Sequence, residues 1–170
     1  DYSSGFLTVP SIGAGTANTE FEVLSGMRVR FFGPGEYPYK SVLKDKTSET
    51  IAYDLKRLGY GTHAIHNHRG AFYGRNKVFP NLGFDTFTSL EYMNSVTKTP
   101  KNWAKDGVLT EEILAALNST ESEDMVYAIS VQGHGQYPTT KMIENPKITS
   151  AGITVESDAK AFQYYVQQLN

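Results

Sequence analysis

The run Met125-Val126-Tyr127-Ala128-Ile129-Ser130-Val131, which leads directly into Gly133-His134-Gly135, decides how the chain reads. A short, nearly unbroken apolar run suits a strand covered on both faces, as the central strands of parallel sheets are. The histidine-bearing loop that follows lies where open α/β sheets hold ligands, beyond the carboxyl ends of the strands. Upstream, Thr110-Glu111-Glu112 opens a helix with Ile113, Leu114 and Leu117 on one side. Further back, Gly61-Thr62-His63-Ala64-Ile65-His66 reads as a second short strand. It follows a helix that Thr47 or Ser48 caps, that repeats Ile51, Leu55 and Leu58 on one face, and that stops at Gly59. Strands alternating with helices predict an α/β fold, a mostly parallel sheet flanked by helices.

Outside this frame, residues 8–12 form a short extended run broken by Pro10, and Gly13-Ala14-Gly15 is a bend before a helix over 16–27. Asn18 is its expected N-cap, Glu20 lies in its first turn, Phe21 and Leu24 share a face, and Gly26 ends it. Residues 31–40, with Gly33-Pro34-Gly35 and Tyr37-Pro38-Tyr39, have loop chemistry. The Gly- and Asn-rich span 67–85 reads as a long surface excursion. Near the end, Phe162, Tyr165, Val166 and Leu169 form an apolar stripe at helical spacing with no Gly or Pro stop. With no initiating Met either, residues 1–170 read as a fragment of a longer protein, cut at both ends.

Composition narrows the function. The 170 residues suit one domain, and 16 basic against 18 acidic residues leave a formal charge of −2, unlike a nucleic-acid binder. Hydrophobic content of 39% argues against disorder, yet no stretch approaches the roughly 18 uninterrupted apolar residues of a membrane span. There is no cysteine, which excludes disulfides, thiolate metal sites and a Cys nucleophile.

Three features carry candidate chemistry. His63, His66, His68 and His134 lie at or just after expected strand ends, and read either as site residues or as loop histidines bonded to backbone. Residues 63–77 hold three of those histidines with Arg69, Arg75 and Lys77 and no acid, either an anion-binding patch or a solvated basic loop. Thr16 stands at the mouth of a helix behind Gly-Ala-Gly, where free N–H groups favour developing negative charge; it is a nucleophile candidate or a simple cap.

The run Gly15-Thr16-Ala17-Asn18-Thr19-Glu20-Phe21-Glu22-Val23-Leu24-Ser25-Gly26, then His66, Phe72-Tyr73-Gly74-Arg75-Asn76, Gly83-Phe84-Asp85, and Ser130-Val131-Gln132-Gly133-His134 before Tyr137-Pro138, resembles the extracellular domain of lipoteichoic acid synthase-type proteins. These are sulfatase-like members of the alkaline phosphatase superfamily. The resemblance implies a partial alkaline-phosphatase/sulfatase-like fold, with residues 1–170 the central fragment of a single sulfatase-like catalytic domain truncated at both ends, and a phosphoglycerol transferase. Such an enzyme attacks phosphatidylglycerol with a threonine, releases diacylglycerol, and passes glycerol phosphate to an envelope polymer or glycolipid acceptor.

By place in the motifs, Thr16 matches the nucleophile and a metal ligand, His134 a catalytic position, and His66, Tyr73 and Arg75 positions that hold the phosphoglycerol group. Tyr73 stands where relatives often carry Trp. The implied cofactor is manganese or magnesium, but its remaining ligands in the family, an acid before the nucleophile segment and a later Asp-His pair, are not in this chain. The resemblance therefore implies a parent enzyme at the extracellular face of the bacterial cytoplasmic membrane, anchored through a part of the parent outside this chain. The fragment alone is expected to bind metal poorly and to be inactive. Sulfatase chemistry proper is disfavoured, because it uses a formylglycine from Cys/Ser-x-Pro-x-Arg, and Thr16 is followed by Ala-Asn-Thr. The alternatives are a non-catalytic phosphoglycerol- or polymer-binding module, and a family hydrolase acting on another phosphodiester.

Overall fold

The computed structural model describes residues 5–6, 8–11 and 15–169. The expected bend at Gly13-Ala14 lies outside the described residues, and 8–11 carry no regular structure. Three strands, β1 (Gly61–His66), β2 (Thr86–Ser89) and β3 (Asp124–Ile129), form a parallel sheet in the order β2-β1-β3. The register runs from His63↔Thr86 to His66↔Ser89 on one side of β1 and from Gly61↔Asp124 to His66↔Ile129 on the other. The α/β expectation with a parallel sheet is met.

The central position is not where the apolar run put it. β1 is the middle strand and is buried from Thr62 to His66, whereas β3 is an edge among the described residues and ends at Ile129 rather than at residue 131. Its apolar character has another cause. Side chains alternate across a strand, and both faces of β3 touch core clusters, although its residues are only half-buried and Ala128 is exposed. Met125, Tyr127 and Ile129 pack on the cluster holding Phe21, Leu24, Val78 and Phe79, while Val126 packs against Ile65, Met93, Val108 and Leu109.

Helices α1 (Thr16–Ser25), α2 (Pro38–Ser41), α3 (Ile51–Arg57) and α4 (Arg75–Asn81) supply the first cluster, and α5 (Gly107–Leu117) supplies the second. The result is a three-layer arrangement with β1 at its centre.

Several boundaries move for local reasons. α1 is capped by the backbone of Gly15 (φ 84°), not by Asn18, which sits inside the first turn. α3 is capped by Thr50 rather than Thr47 or Ser48: its hydroxyl accepts from Ala52 N (3.2 Å) and donates to the Leu82 carbonyl (2.5 Å). α5 begins at Gly107, before Thr110. α6 (Glu156–Gln167) buries Tyr164 and Val166, while Phe162 and Leu169 of the expected stripe are exposed. Its partner is the loop after β3, where the Tyr137 ring packs at a tilt against Tyr165 (5.2 Å) and Lys147 N donates to Gln167 Oε1 (2.8 Å).

The span 67–85 is not a surface excursion. It contains α4, and Val78, Phe79, Leu82 and Phe84 are core residues in the crossover from β1 to β2. Glycines and Pro80 punctuate so short a helix that no periodicity is visible. At Gly83, φ is +92° and a Cβ would lie 2.8 Å from the Tyr53 ring, so glycine is required.

Candidate active site

The site begins on α1. Thr16 opens the helix, and Glu20 follows one turn later on the same face. Arg75 opens α4 behind Gly74, whose left-handed backbone (φ 68°) turns the chain into that helix. The Arg75 side chain is fully buried. Its Nε and Nη2 donate to the two Glu20 oxygens (3.0 and 2.5 Å), Nη2 also reaches Thr16 Oγ1 (3.3 Å), and Nη1 donates to the Phe72 carbonyl (3.3 Å). A bidentate pair of this kind fixes the guanidinium plane as well as its charge.

The Tyr73 ring lies 5.2 Å from Arg75 Cζ and stacks on Tyr37 at 5.5 Å. Tyr73 adopts a left-handed backbone (φ 57°), a strained conformation for a residue with a Cβ. Around the ion pair, burial and then Glu20 push the Tyr39 phenol well above its ordinary value, and burial pushes Tyr127 up to about 12.

His66 ends β1 at the same end of the sheet. Its Nδ1 donates to the Ile129 carbonyl (2.8 Å), which leaves Nε2 as an acceptor. Burial, and next the Arg75 charge, lower its pKa to about 4, so the ring is neutral at pH 7. Beyond it a row of rings continues. His68 lies 5.8 Å from His66, Trp103 lies 5.5 Å from His68, and His134 lies 4.4 Å from Trp103. Burial, then Arg75 and His134, lower the His68 pKa. His134 is exposed and donates from Nδ1 to the Gly135 carbonyl (2.9 Å).

Thr16, Tyr73 and Arg75 are thus in one contact group, with His66 beside Arg75 and His134 joined through His68 and Trp103. The basic patch is a correction. Arg69 and Lys77 are exposed, and the buried charge of Arg75 is matched by Glu20, which enters from a distant part of the sequence. His63 is also elsewhere. Its Nε2 donates to Asp124 Oδ1 (3.0 Å) and its Nδ1 lies 2.8 Å from Thr86 Oγ1, a brace across all three strands at the amino ends of β2 and β3.

Sequence reasoning gave no site role to two residues: Trp103, which stood in no motif, and Glu20, read as first-turn charge and quoted in the motif run without a role. The i, i+4 spacing from Thr16 to Glu20 was the available signal.

A divalent cation of the manganese or magnesium type takes about six oxygen ligands. Thr16 Oγ1 faces a guanidinium, both Glu20 oxygens lie on Arg75, and among the described residues no three His, Cys, Asp or Glu gather as a metal cluster. The residues described here do not fit such an ion by themselves.

The sequence pattern of the Sulfatase family matches residues 3–168. The chain belongs to the sulfatase family. Among its sulfatase-family relatives, a Rhizobium meliloti (strain 1021) protein named for modification of cyclic beta-1,2-glucan is 32% identical over 167 residues, covering 98% of this chain and 26% of that protein. Of solved structures, the Streptococcus pyogenes phosphoglycerol transferase GacH, in complex with sn-glycerol-1-phosphate, superposes with a TM-score of 0.76 at 23% identity. That match covers 95% of this chain and 42% of GacH. The lipoteichoic acid synthase LtaP of Listeria monocytogenes gives 0.68 at 21%, covering 96% of this chain and 40% of LtaP. The fold read from the motifs is therefore the observed one, and the chain spans well under half the length of these proteins.

Proposed function

We propose that this chain is the nucleophile-bearing part of a sulfatase-family phosphotransferase that moves glycerol phosphate from phosphatidylglycerol to an envelope polymer or glycolipid. The observation that carries the reading is the exposed Thr16 hydroxyl at the start of a ten-residue helix, 3.3 Å from an arginine that Glu20 holds in place. A helix start and a guanidinium both favour negative charge on that oxygen and on a phosphoryl group beside it.

In this reading Thr16 Oγ forms the bond to phosphorus, the bond to the diacylglycerol oxygen breaks, and the Thr16 proton ends on that oxygen with His134 Nε2 as carrier. An acceptor hydroxyl then attacks the threonine ester, and its proton returns to Thr16. Arg75 stabilises phosphoryl oxygens, neutral His66 accepts a hydrogen bond from a glycerol hydroxyl at Nε2, and Tyr73 walls the head group.

The likeness in fold to GacH with bound sn-glycerol-1-phosphate supports a phosphoglycerol substrate, and the name of the Rhizobium relative supports a glycan acceptor. Among the described residues no helix is long and apolar enough to cross a membrane. Membrane attachment, the outer face of the cytoplasmic membrane and the metal ligands belong in this reading to other parts of the parent, of whose single catalytic domain residues 1–170 form one piece.

The incomplete metal donor set favours a second reading, a phosphoglycerol- or polymer-binding module without turnover. Thr16→Ala in the parent separates them: it abolishes transfer of labelled glycerol phosphate if Thr16 is the nucleophile and leaves glycerol-phosphate binding nearly intact in either case. Retained transfer by that variant refutes the mechanism.

A further inference from the structure

His134 is a proposed site residue whose hydrogen bonds, among the described residues, all lie within its own loop. It stands between Gly133 and Gly135, and its hydrogen bonds, N to the Val131 carbonyl and Nδ1 to the Gly135 carbonyl (both 2.9 Å), stay within residues 131–135. Glycines on both sides leave such a loop conformationally free. The imidazole is exposed, and its external contact is Trp103, with ring centroids 4.4 Å apart and planes inclined by 39°.

Trp103, by contrast, is firmly mounted. Its N–H donates to Thr99 Oγ1 (3.1 Å) and its carbonyl accepts from Thr99 N (2.8 Å), closing a tight turn around a buried threonine. Fully buried Asn67 donates from Nδ2 to the Ala104 carbonyl (3.4 Å) and to Asp106 Oδ1 (2.8 Å). Asp106 reaches the other side as well: its N–H donates to Gln132 Oε1 (2.7 Å), and its carboxylate accepts from Gln132 N (3.3 Å) and Ser130 Oγ (2.5 Å). One aspartate therefore ties the turn that carries the indole to the start of the loop that carries the imidazole.

We propose that Trp103 is the positioning residue of His134: the indole, carried on a backbone fixed through Thr99, Asn67 and Asp106, holds the imidazole against itself and directs Nε2, which has no partner among the described residues, into the site. The role of the oriented histidine rests on the phosphotransferase reading; the orientation does not. A tilted ring contact at this separation is attractive. A ring held on one side by a rigid platform keeps one direction for its free nitrogen, which proton transfer requires.

The test uses the chain itself, because Trp103 is its only tryptophan. An imidazole packed on an indole alters its surroundings and so its emission, which makes Trp103 fluorescence a direct reading of the contact. His68 also faces Trp103, with Arg69, Arg75 and Glu91 around it, so His134→Gln and His68→Gln are measured separately. The emission change that belongs to the His134 contact appears in His134→Gln whether or not His68 is also replaced. In NMR spectra the His134 ring protons, shifted upfield by the indole, move downfield in Trp103→Leu and less so in Trp103→Phe. An emission spectrum that His134→Gln does not change, or His134 ring shifts that Trp103→Leu does not move, overturns the proposal. In the parent enzyme Trp103→Leu lowers kcat with KM unchanged, and Trp103→Phe restores part of it. Failure of Thr16→Ala to abolish transfer would sink the phosphotransferase reading and leave the fluorescence and NMR results standing.

Discussion

The buried His66 makes the fold acid-sensitive by an amount that its surroundings set. The perturbation is acidification of the wild type and of His66→Gln, each unfolded by urea at several pH values. In the folded chain the ring is neutral and its pKa is about 4, because it is buried beside Arg75. In the unfolded chain it returns to about 6.5. A folded pKa below the unfolded one gives stability that is complete above pH 6.5 and is lost as pH falls toward 4, since the unfolded state binds the proton first. The gap of about 2.5 units at 1.36 kcal/mol each is about 3 kcal/mol, a large share of the roughly 5–15 kcal/mol of a typical domain. Carboxylates such as Asp85 and Glu91, whose pKa values the fold lowers, also lose stability in acid, but they do so in both proteins and cancel in the comparison. The stability advantage of the wild type over His66→Gln should therefore shrink steadily below pH 6.5, by about 3 kcal/mol in all. An advantage that is constant from pH 7 to pH 4.5 would refute the argument that His66 is held neutral by burial.

Three other substitutions probe the same architecture. Glu20→Gln leaves the Arg75 charge buried without its partner and should cost about 3–5 kcal/mol in urea unfolding; a loss of about 1 kcal/mol or less, as for an exposed pair, would show that the guanidinium is solvated. Gly83→Ala and Gly59→Ala both place a Cβ on a backbone at φ 92°, but only Gly83 meets the Tyr53 ring, at 2.8 Å. Gly59→Ala should cost about 1 kcal/mol and Gly83→Ala up to about 3 in thermal melts, and equal costs would remove the steric argument.

Much of the fold was legible because local patterns carried it. The β1 segment, the αL stop after α3, and the strand feeding the His134 loop are written in short runs of β-branched, apolar and glycine residues. What failed shows where local pattern stops. Residues 67–85 looked like a loop because Gly70, Gly74, Gly83 and Pro80 punctuate them, yet Val78 and Phe79 are buried through packing on α1 and β2, which no window of sequence contains. The apolar run of β3 specified contacts on both faces, but such contacts specify neither full burial, since Ala128 is exposed, nor a central place in the hydrogen-bonded order.

The site divides in the same way. By itself the sequence determined an α/β chain of nearly neutral charge without cysteine, with Thr16 at a helix start and histidines at strand ends, since these follow from residue type and spacing. The tertiary structure alone decided which of those groups meet. It brought Glu20 across 55 residues to Arg75 and so turned an apparent basic patch into a compensated pair. It sent His63 to a brace at the amino ends of β2 and β3, and it set Trp103 against His134. Charge and ring contacts act over a few ångströms in space, whereas the sequence records only distance along the chain.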